Sequence, residues 1–399
     1  MNASEPLAIE GGMPVRATTL PYGRQCVDDD DVAAVTETLR SAWLTTGPKV
    51  EQFEQALAAC TGTAFAVAVS NGTAALHAAM YSLGIGKGDE VIVPAITFAA
   101  TANCVAFLGG RPVFADVNPD TLLLDPAGVE SRVTPRTKAV IAVDYAGQSC
   151  DYNALGALAG SRGLALADDA CHAIGGSYRG RPVGSLAAVN TFSFHPVKHV
   201  TTGEGGAITT DDPDLAGRMR TFRNHGITTD HRQRESKGSW FYEMGDLGFN
   251  YRLTDIQCAL GISQLPKLPA WVRRRQAIAL RYDAAFARMP AVRPLAVRPE
   301  VSHAYHLYVI RLELDRLRVD RAAVFSALRA EGIGVNVHYI PVHLHPYYRR
   351  TFGTAPGDCP VAEAAYERIL SLPIFPAMTD EDAEDVIRAV GKVTEAYAR

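Results

Sequence analysis

Through the middle of the chain, short apolar runs alternate with amphipathic stretches. Phe65-Ala-Val-Ala-Val69, Glu90-Val-Ile-Val-Pro94, Pro112-Val-Phe-Ala-Asp116, Ala139-Val-Ile-Ala-Val143 and Gly163-Leu-Ala-Leu-Ala167 read as strands. A helix is expected to open at Asn71-Gly-Thr73, directly after the first of them. Strands that are apolar along their whole length, separated by helices, predict a mostly parallel sheet covered on both faces. Ligands of such sheets sit beyond the carboxyl ends of the strands, where the polar residues of this chain fall. Asp28 to Asp31 begin a further helical pattern in which Val32, Val35 and Leu39 share one face.

The pattern changes after Leu265-Pro-Lys-Leu-Pro269. A basic helical stretch, Trp271 to Met289, leads to strand-like His306-Leu-Tyr-Val-Ile-Arg311. A helix around Val324 to Ala330 and the apolar Gly332-Ile-Gly-Val-Asn-Val337 follow. Thr379 and Asp382 form a capping signature ahead of Val386, Ile387, Val390 and Val393. We divide the chain into a large domain, residues 1–265, and a small C-terminal α/β domain, residues 266–399.

With 39 Lys and Arg against 43 Asp and Glu, the formal charge is −4. No basic cluster points to nucleic acid or an anionic membrane. The most apolar long stretch, Val91 to Gly110, is interrupted by Pro94 and Asn103, so no membrane span is expected. Met1 to Pro21 lacks the apolar segment of a secretory signal. Cys26, Cys60, Cys104, Cys150, Cys171, Cys258 and Cys359 are dispersed without a CxxC pair, which predicts reduced thiols and a cytoplasmic protein.

Three features carry chemistry. Ser70-Asn-Gly-Thr73 joins a strand to a helix, and N–H groups at a helix start can cradle a phosphate; an ordinary N-cap is the bland alternative. Asp168 and Asp169 close an apolar run, either as solvated strand-end carboxylates or as an acid aimed into a site. Lys198 lies between two strand-like segments in Phe192-Ser-Phe-His-Pro-Val-Lys-His-Val-Thr-Thr-Gly-Glu-Gly-Gly206. A partly desolvated lysine there loses proton affinity and becomes a usable amine. No GxxxxGK[ST] or GxGxxG accompanies them. Cradle, acid and amine are what pyridoxal 5′-phosphate (PLP) requires: an anion site, a carboxylate facing the ring nitrogen, and an amine for its aldehyde. On these residues alone, PLP and the structural alternatives both remain open.

The order and wording of the segments resemble the DegT/DnrJ family of nucleotide-sugar aminotransferases, from about Thr45-Thr-Gly-Pro-Lys-Val50 to the C-terminal helix. The most specific pieces are Asp168-Asp-Ala-Cys-His-Ala-Ile-Gly175, Ser193-Phe-His-Pro-Val-Lys-His-Val-Thr-Thr202 and Gly248-Phe-Asn-Tyr-Arg-Leu-Thr-Asp255. Pro94-Ala-Ile-Thr-Phe-Ala-Ala-Thr-Ala-Asn103 and the His-Pro-Val-Lys wording are most similar to one branch. That branch comprises the UDP-4-amino-4,6-dideoxy-N-acetyl-β-L-altrosamine transaminases of pseudaminic acid synthesis.

The resemblance implies the aspartate-aminotransferase-like (type I PLP) fold, an α/β architecture with a mostly parallel, mixed central sheet. It implies Lys198 as the Schiff-base lysine, Asp169 as partner of the pyridine nitrogen and His172 beside the ring, with Asp168 less directly involved. It places Phe98 on the other ring face, with a core phenylalanine as the alternative, and Gly72, Thr73 and Ser193 at the phosphate. Asn250 would reach the cofactor phosphate of a partner subunit, implying a homodimer with shared sites. Arg252, His306 and His338 are candidate substrate contacts, each equally readable as a satisfied polar residue.

The implied reaction moves an amino group from glutamate to a UDP-linked 4-keto-6-deoxy-hexosamine. A dTDP-ketosugar 3- or 4-aminotransferase is the alternative. A PLP ketosugar dehydratase would carry His where Lys198 stands, and a non-catalytic regulator of this fold would carry an added DNA-binding segment. No metal is expected, because His338, His343 and His345 come without an HExxH pattern or a carboxylate partner.

Overall fold

The computed structural model describes residues 5–229, 234, 236 and 238–399. The main sheet is built from β1 (Phe65–Val69), β2 (Glu90–Pro94), β3 (Arg111–Ala115), β4 (Thr137–Val143) and β5 (Ala165–Asp169). After two short strands, β6 (Ser177–Tyr178) and β7 (Arg181–Pro182), β8 (Val189–Ser193) and β9 (Gly206–Thr210) complete it. The spatial order is β1-β9-β8-β5-β4-β2-β3. The pairs β8–β5, β5–β4, β4–β2 and β2–β3 are parallel, whereas β9 runs antiparallel to both of its neighbours. The sheet is therefore mixed and mostly parallel, as expected. Its inner strands are buried on both faces, which explains their unbroken apolar wording.

Of the first four helices, α1 (Asp29–Leu39), α2 (Pro48–Thr61), α3 (Gly72–Ser82) and α4 (Ala100–Phe107), the last two flank the site. α3 starts at the expected position because the Asn71 side chain accepts the Ala74 N–H at 2.8 Å and stops the strand there. The fifth strand begins two residues later than the sequence suggested, because Gly163 takes a left-handed conformation and caps the preceding helix. Asp168 and Asp169 are the last two residues of β5, at the strand end where the sequence placed them.

A second sheet, β10 (Val292–Pro294), β12 (Tyr308–Leu312) and β13 (Ile369–Leu372), packs with helices Leu268–Phe286, Arg321–Ala330 and Asp380–Ala396 around a second core. The short β11 (Val301–Ser302) pairs instead with β6. The last helix carries the expected capping box between Thr379 and Asp382. Gly332 to Val337 forms no regular strand; it is held by single bridges from Ile333 to Leu20 and from Asn336 to Ser371. Packing crosses chain position 265 in both directions: Leu7 and Leu20 join the second core, whereas Tyr348, Cys359 and Ala362 join the first. Among the described residues, no helix is long and apolar enough to cross a membrane.

Candidate active site

A cavity of about 810 Å³ opens where β1, β2, β4 and β5 end. Gly72, Thr73, Phe98, Asp169, His172, Ser193, Lys198, His306 and His338 all line it, so the fold brings together residues spread over most of the chain. Asn250 and Arg252 are not among the lining residues of this chain. Asn250 is exposed and bridges to Asn224 through the backbone, and Arg252 donates from Nη1 to Asn224 Oδ1 at 2.9 Å.

Lys198 sits in the loop that joins the antiparallel pair β8 and β9. Phe194 N–H donates to Gly205 O at 2.8 Å, Thr202 N–H to Phe194 O at 3.0 Å, and Lys198 N–H to His195 O at 2.9 Å. These bonds curl the loop over the sheet edge and leave the lysine half-buried. Burial lowers its proton affinity, while Cys171 and Asp169 act in the opposite sense. Its Nζ lies 3.4 Å from His306 Nε2.

Asp169 is buried at the end of β5, where it accepts from Thr101 Oγ1 at 2.6 Å; Thr101 is in turn paired with Thr97 Oγ1 at 2.7 Å. Both threonines escaped the sequence reading. Their spacing of one helical turn was visible, but not the carboxylate that they face. Asp168 projects to the other face of the sheet, as strand alternation requires, and does not line the cavity.

His172 is neutral: burial first, and then the charge of Lys198, hold its imidazole well below the usual range. Its Nε2 lies 3.1 Å from Tyr339 Oη, and Tyr339, a third residue missed from sequence, also lines the cavity. The rings of His172 and His306 are 4.4 Å apart. His338 pairs through Nδ1 with Ser371 Oγ at 2.8 Å, and burial lowers its pKa to about 4. His343 faces away and, contrary to the sequence expectation, has a carboxylate partner, Glu363, at 2.9 Å. Burial raises the Cys171 thiol well above its ordinary value, so it is no ready nucleophile.

One wall of the cavity depends on a missing side chain. A Cβ on Gly72 would lie 2.9 Å from Ser193 Cβ and 3.3 Å from Ser193 Oγ. Glycine lets the start of α3 approach the end of β8, and the first-turn N–H groups, which no intrahelical bond can satisfy, reach the cavity wall beside the Ser193 hydroxyl. Gly147 plays the same part behind the site. With φ +106°, its hypothetical Cβ would meet Tyr305 N at 2.8 Å and His306 N at 2.9 Å, so glycine brings the His306 segment against the sheet. An amine of lowered basicity, a buried carboxylate and a helix-start cradle are the donor set that PLP requires, and the residues fit it.

The sequence pattern of the DegT/DnrJ/EryC1/StrS aminotransferase family matches residues 25–391. The chain is 44% identical over 378 residues to the spore coat polysaccharide biosynthesis protein SpsC of Bacillus subtilis, covering 94% of this chain and 97% of that protein. It superposes with a TM-score of 0.89 on Helicobacter pylori PseC, an aminotransferase involved in the biosynthesis of pseudoaminic acid, at 33% identity over 95% of this chain and 100% of that one. Spr1654 of Streptococcus pneumoniae in its PLP-form gives 0.88 at 33% identity, over 95% and 99%. With this cavity and these matches, the chain belongs to the DegT/DnrJ/EryC1/StrS family and is a PLP-dependent aminotransferase.

Proposed function

We propose that the protein transfers an amino group from glutamate to a nucleotide-linked 4-keto-6-deoxy sugar, a UDP-linked 4-keto-6-deoxy-N-acetylhexosamine giving the 4-amino product. The observation that carries the amine chemistry is the placement of Lys198, Asp169 and the start of α3 on one cavity. The likeness to SpsC and PseC supports a sugar as acceptor.

When bound, PLP supplies an electron sink for the carbon that carries the amine. The protein does the rest. Lys198, made less basic by burial, would hold the aldehyde until the donor's amine displaces it, and its freed Nζ would then take the donor's α-proton and give it back. Asp169, oriented by Thr101, presents its carboxylate to the ring nitrogen. Gly72, Thr73 and Ser193, which line the cavity together, would hold the phosphate; neutral His172, bonded to Tyr339, would pack beside the ring and Phe98 would close its other face. His306 and His338, on the same cavity, would face the substrate.

The proposal includes a homodimer in the cytoplasm, with Asn250 reaching the partner subunit's phosphate site. Trp240, Met244 and Leu247 support that surface: they are 86%, 65% and 71% exposed in the single chain, on the segment that leads to Asn250.

The test is a panel of UDP- and dTDP-linked 4-ketosugars incubated with glutamate, the products identified by NMR. Amination at C-4 of the UDP-linked sugar is expected. Reaction of dTDP-linked sugars alone would overturn the substrate assignment.

A further inference from the structure

Arg275, on helix Leu268–Phe286, is the largest fully buried side chain among the described residues. Its Nη1 donates to three carbonyls: Ile374 at 2.7 Å, Tyr305 at 3.1 Å and His306 at 3.4 Å. Nε and Nη2 are buried without a partner among the described residues. None of the ion pairs of Glu54, Asp151, Glu331, Asp382 or Asp385 reaches it; those carboxylates pair with other cations. A buried guanidinium without a counter-charge is expensive for the fold. Its position is not explained by packing alone, since a well-packed apolar residue of similar volume is often neutral or stabilising at such a place.

What it holds is the segment that carries His306. The same segment is held from the sheet side: His199 Nε2–H donates to Ala304 O at 2.8 Å, Ala304 N–H to Gly147 O at 2.9 Å, and Leu307 N–H to Ala146 O at 3.1 Å. Between these anchors, His306 places Nε2 3.4 Å from Lys198 Nζ.

We propose that Arg275 is a positioning residue for the reacting amine: it ties the Tyr305–His306 backbone to Ile374, so that the His306 imidazole covers Lys198 and keeps water from it. The inference rests on Lys198 being that amine. Charge supports it. Burial holds His306 neutral, and so do the groups facing it from each packed element: Lys198 and His199 from the β8–β9 loop, His172 after β5 and Arg275 from its helix. A neutral ring can lie against the lysine in either protonation state. All three bonds come from one nitrogen, so an ammonium with three donors at a similar reach can replace the guanidinium.

The test uses the full-length, PLP-loaded enzyme and its Arg275→Met, Arg275→Lys and His306→Ala variants. The readouts are kcat, KM and the pH midpoint of the cofactor's visible absorbance, which reports the proton on the Lys198 nitrogen. R275M and H306A should move the midpoint up by about half a unit or more, as water reaches the nitrogen and favours its charged form. In R275M, kcat should fall about tenfold with little change in KM, and R275K should stay within about twofold of wild type. A lower melting temperature in R275M with midpoint and kcat unchanged would make Arg275 a structural brace only and overturn the proposal. Should R275M fail to fold, H306A decides: an unmoved midpoint overturns it. A Lys198→Ala enzyme with full turnover would instead overturn the proposed function.

Discussion

Asp168 and Asp169 are neighbours in β5 with opposite fates: neither carboxyl oxygen of Asp168 has a partner among the described residues, whereas Asp169 accepts from Thr101 at 2.6 Å in the cavity wall. Burial, with Asp144 beside it, holds the Asp168 carboxyl well above the ordinary range, and burial pushes Asp144 up to about 7. The folded chain thus keeps a proton on Asp168 that the unfolded chain releases above about pH 4. A folded-state pKa that is raised makes stability fall as pH rises through that window. Asp168→Asn is close in shape and cannot ionise. We expect it to gain about 1 kcal/mol or more over wild type at pH 8 relative to pH 5 in urea unfolding, with activity within about threefold. Asp169→Asn should weaken PLP binding about a hundredfold, because the ring nitrogen loses its charge partner. The reverse pattern would mean that the two roles are exchanged.

Thr101→Val keeps the shape of the side chain but removes the donor to Asp169. A lost hydrogen bond to a charged group is worth about 1.5–3 kcal/mol, so PLP affinity should fall about tenfold or more in an absorbance titration. Unchanged affinity would show that Thr101 does not orient the carboxylate.

The parallel strands were legible because burial on both faces writes them as unbroken apolar runs, and α3 because Asn71 marks its start. The partner of Asp169 was not: Thr101 lies 68 residues away in sequence, and only the sheet order makes them neighbours. Nor was the burial of α1. Its apolar face, Val32 and Leu39, is exposed in the single chain, while Asp31 is buried. Asp31 is held by Ser263 at 2.6 Å, Gln264 at 2.9 Å and Lys267 at 2.8 Å, a polar anchor that no periodicity reveals. Gly332 to Val337 is apolar yet forms no regular strand, because its backbone groups are shared between Leu20 and Ser371 instead of one neighbouring strand. Arg275 gave no signal at all within a basic helical stretch, since its carbonyl partners are remote.

Gly72→Ala places a Cβ 2.9 Å from Ser193 Cβ and narrows the anion cradle. PLP affinity should fall about tenfold, and addition of free phosphate should protect the variant from thermal unfolding less than it protects wild type. Equal affinity would move the phosphate site elsewhere.

Shared sites predict complementation. Lys198→Ala and Asn250→Ala proteins, each inactive alone, should recover about a quarter of wild-type activity when unfolded and refolded together, because half of the dimers then hold one intact site of two. No recovery, with dimers present by ultracentrifugation, would confine each site to a single chain.

Borohydride reduction of the PLP-loaded protein, followed by peptide mass spectrometry, asks where the cofactor is attached. A pyridoxyl group is expected on the peptide containing Lys198 and is expected to be absent after Lys198→Ala. A pyridoxyl group on a different lysine, or its persistence in that variant, would contradict it.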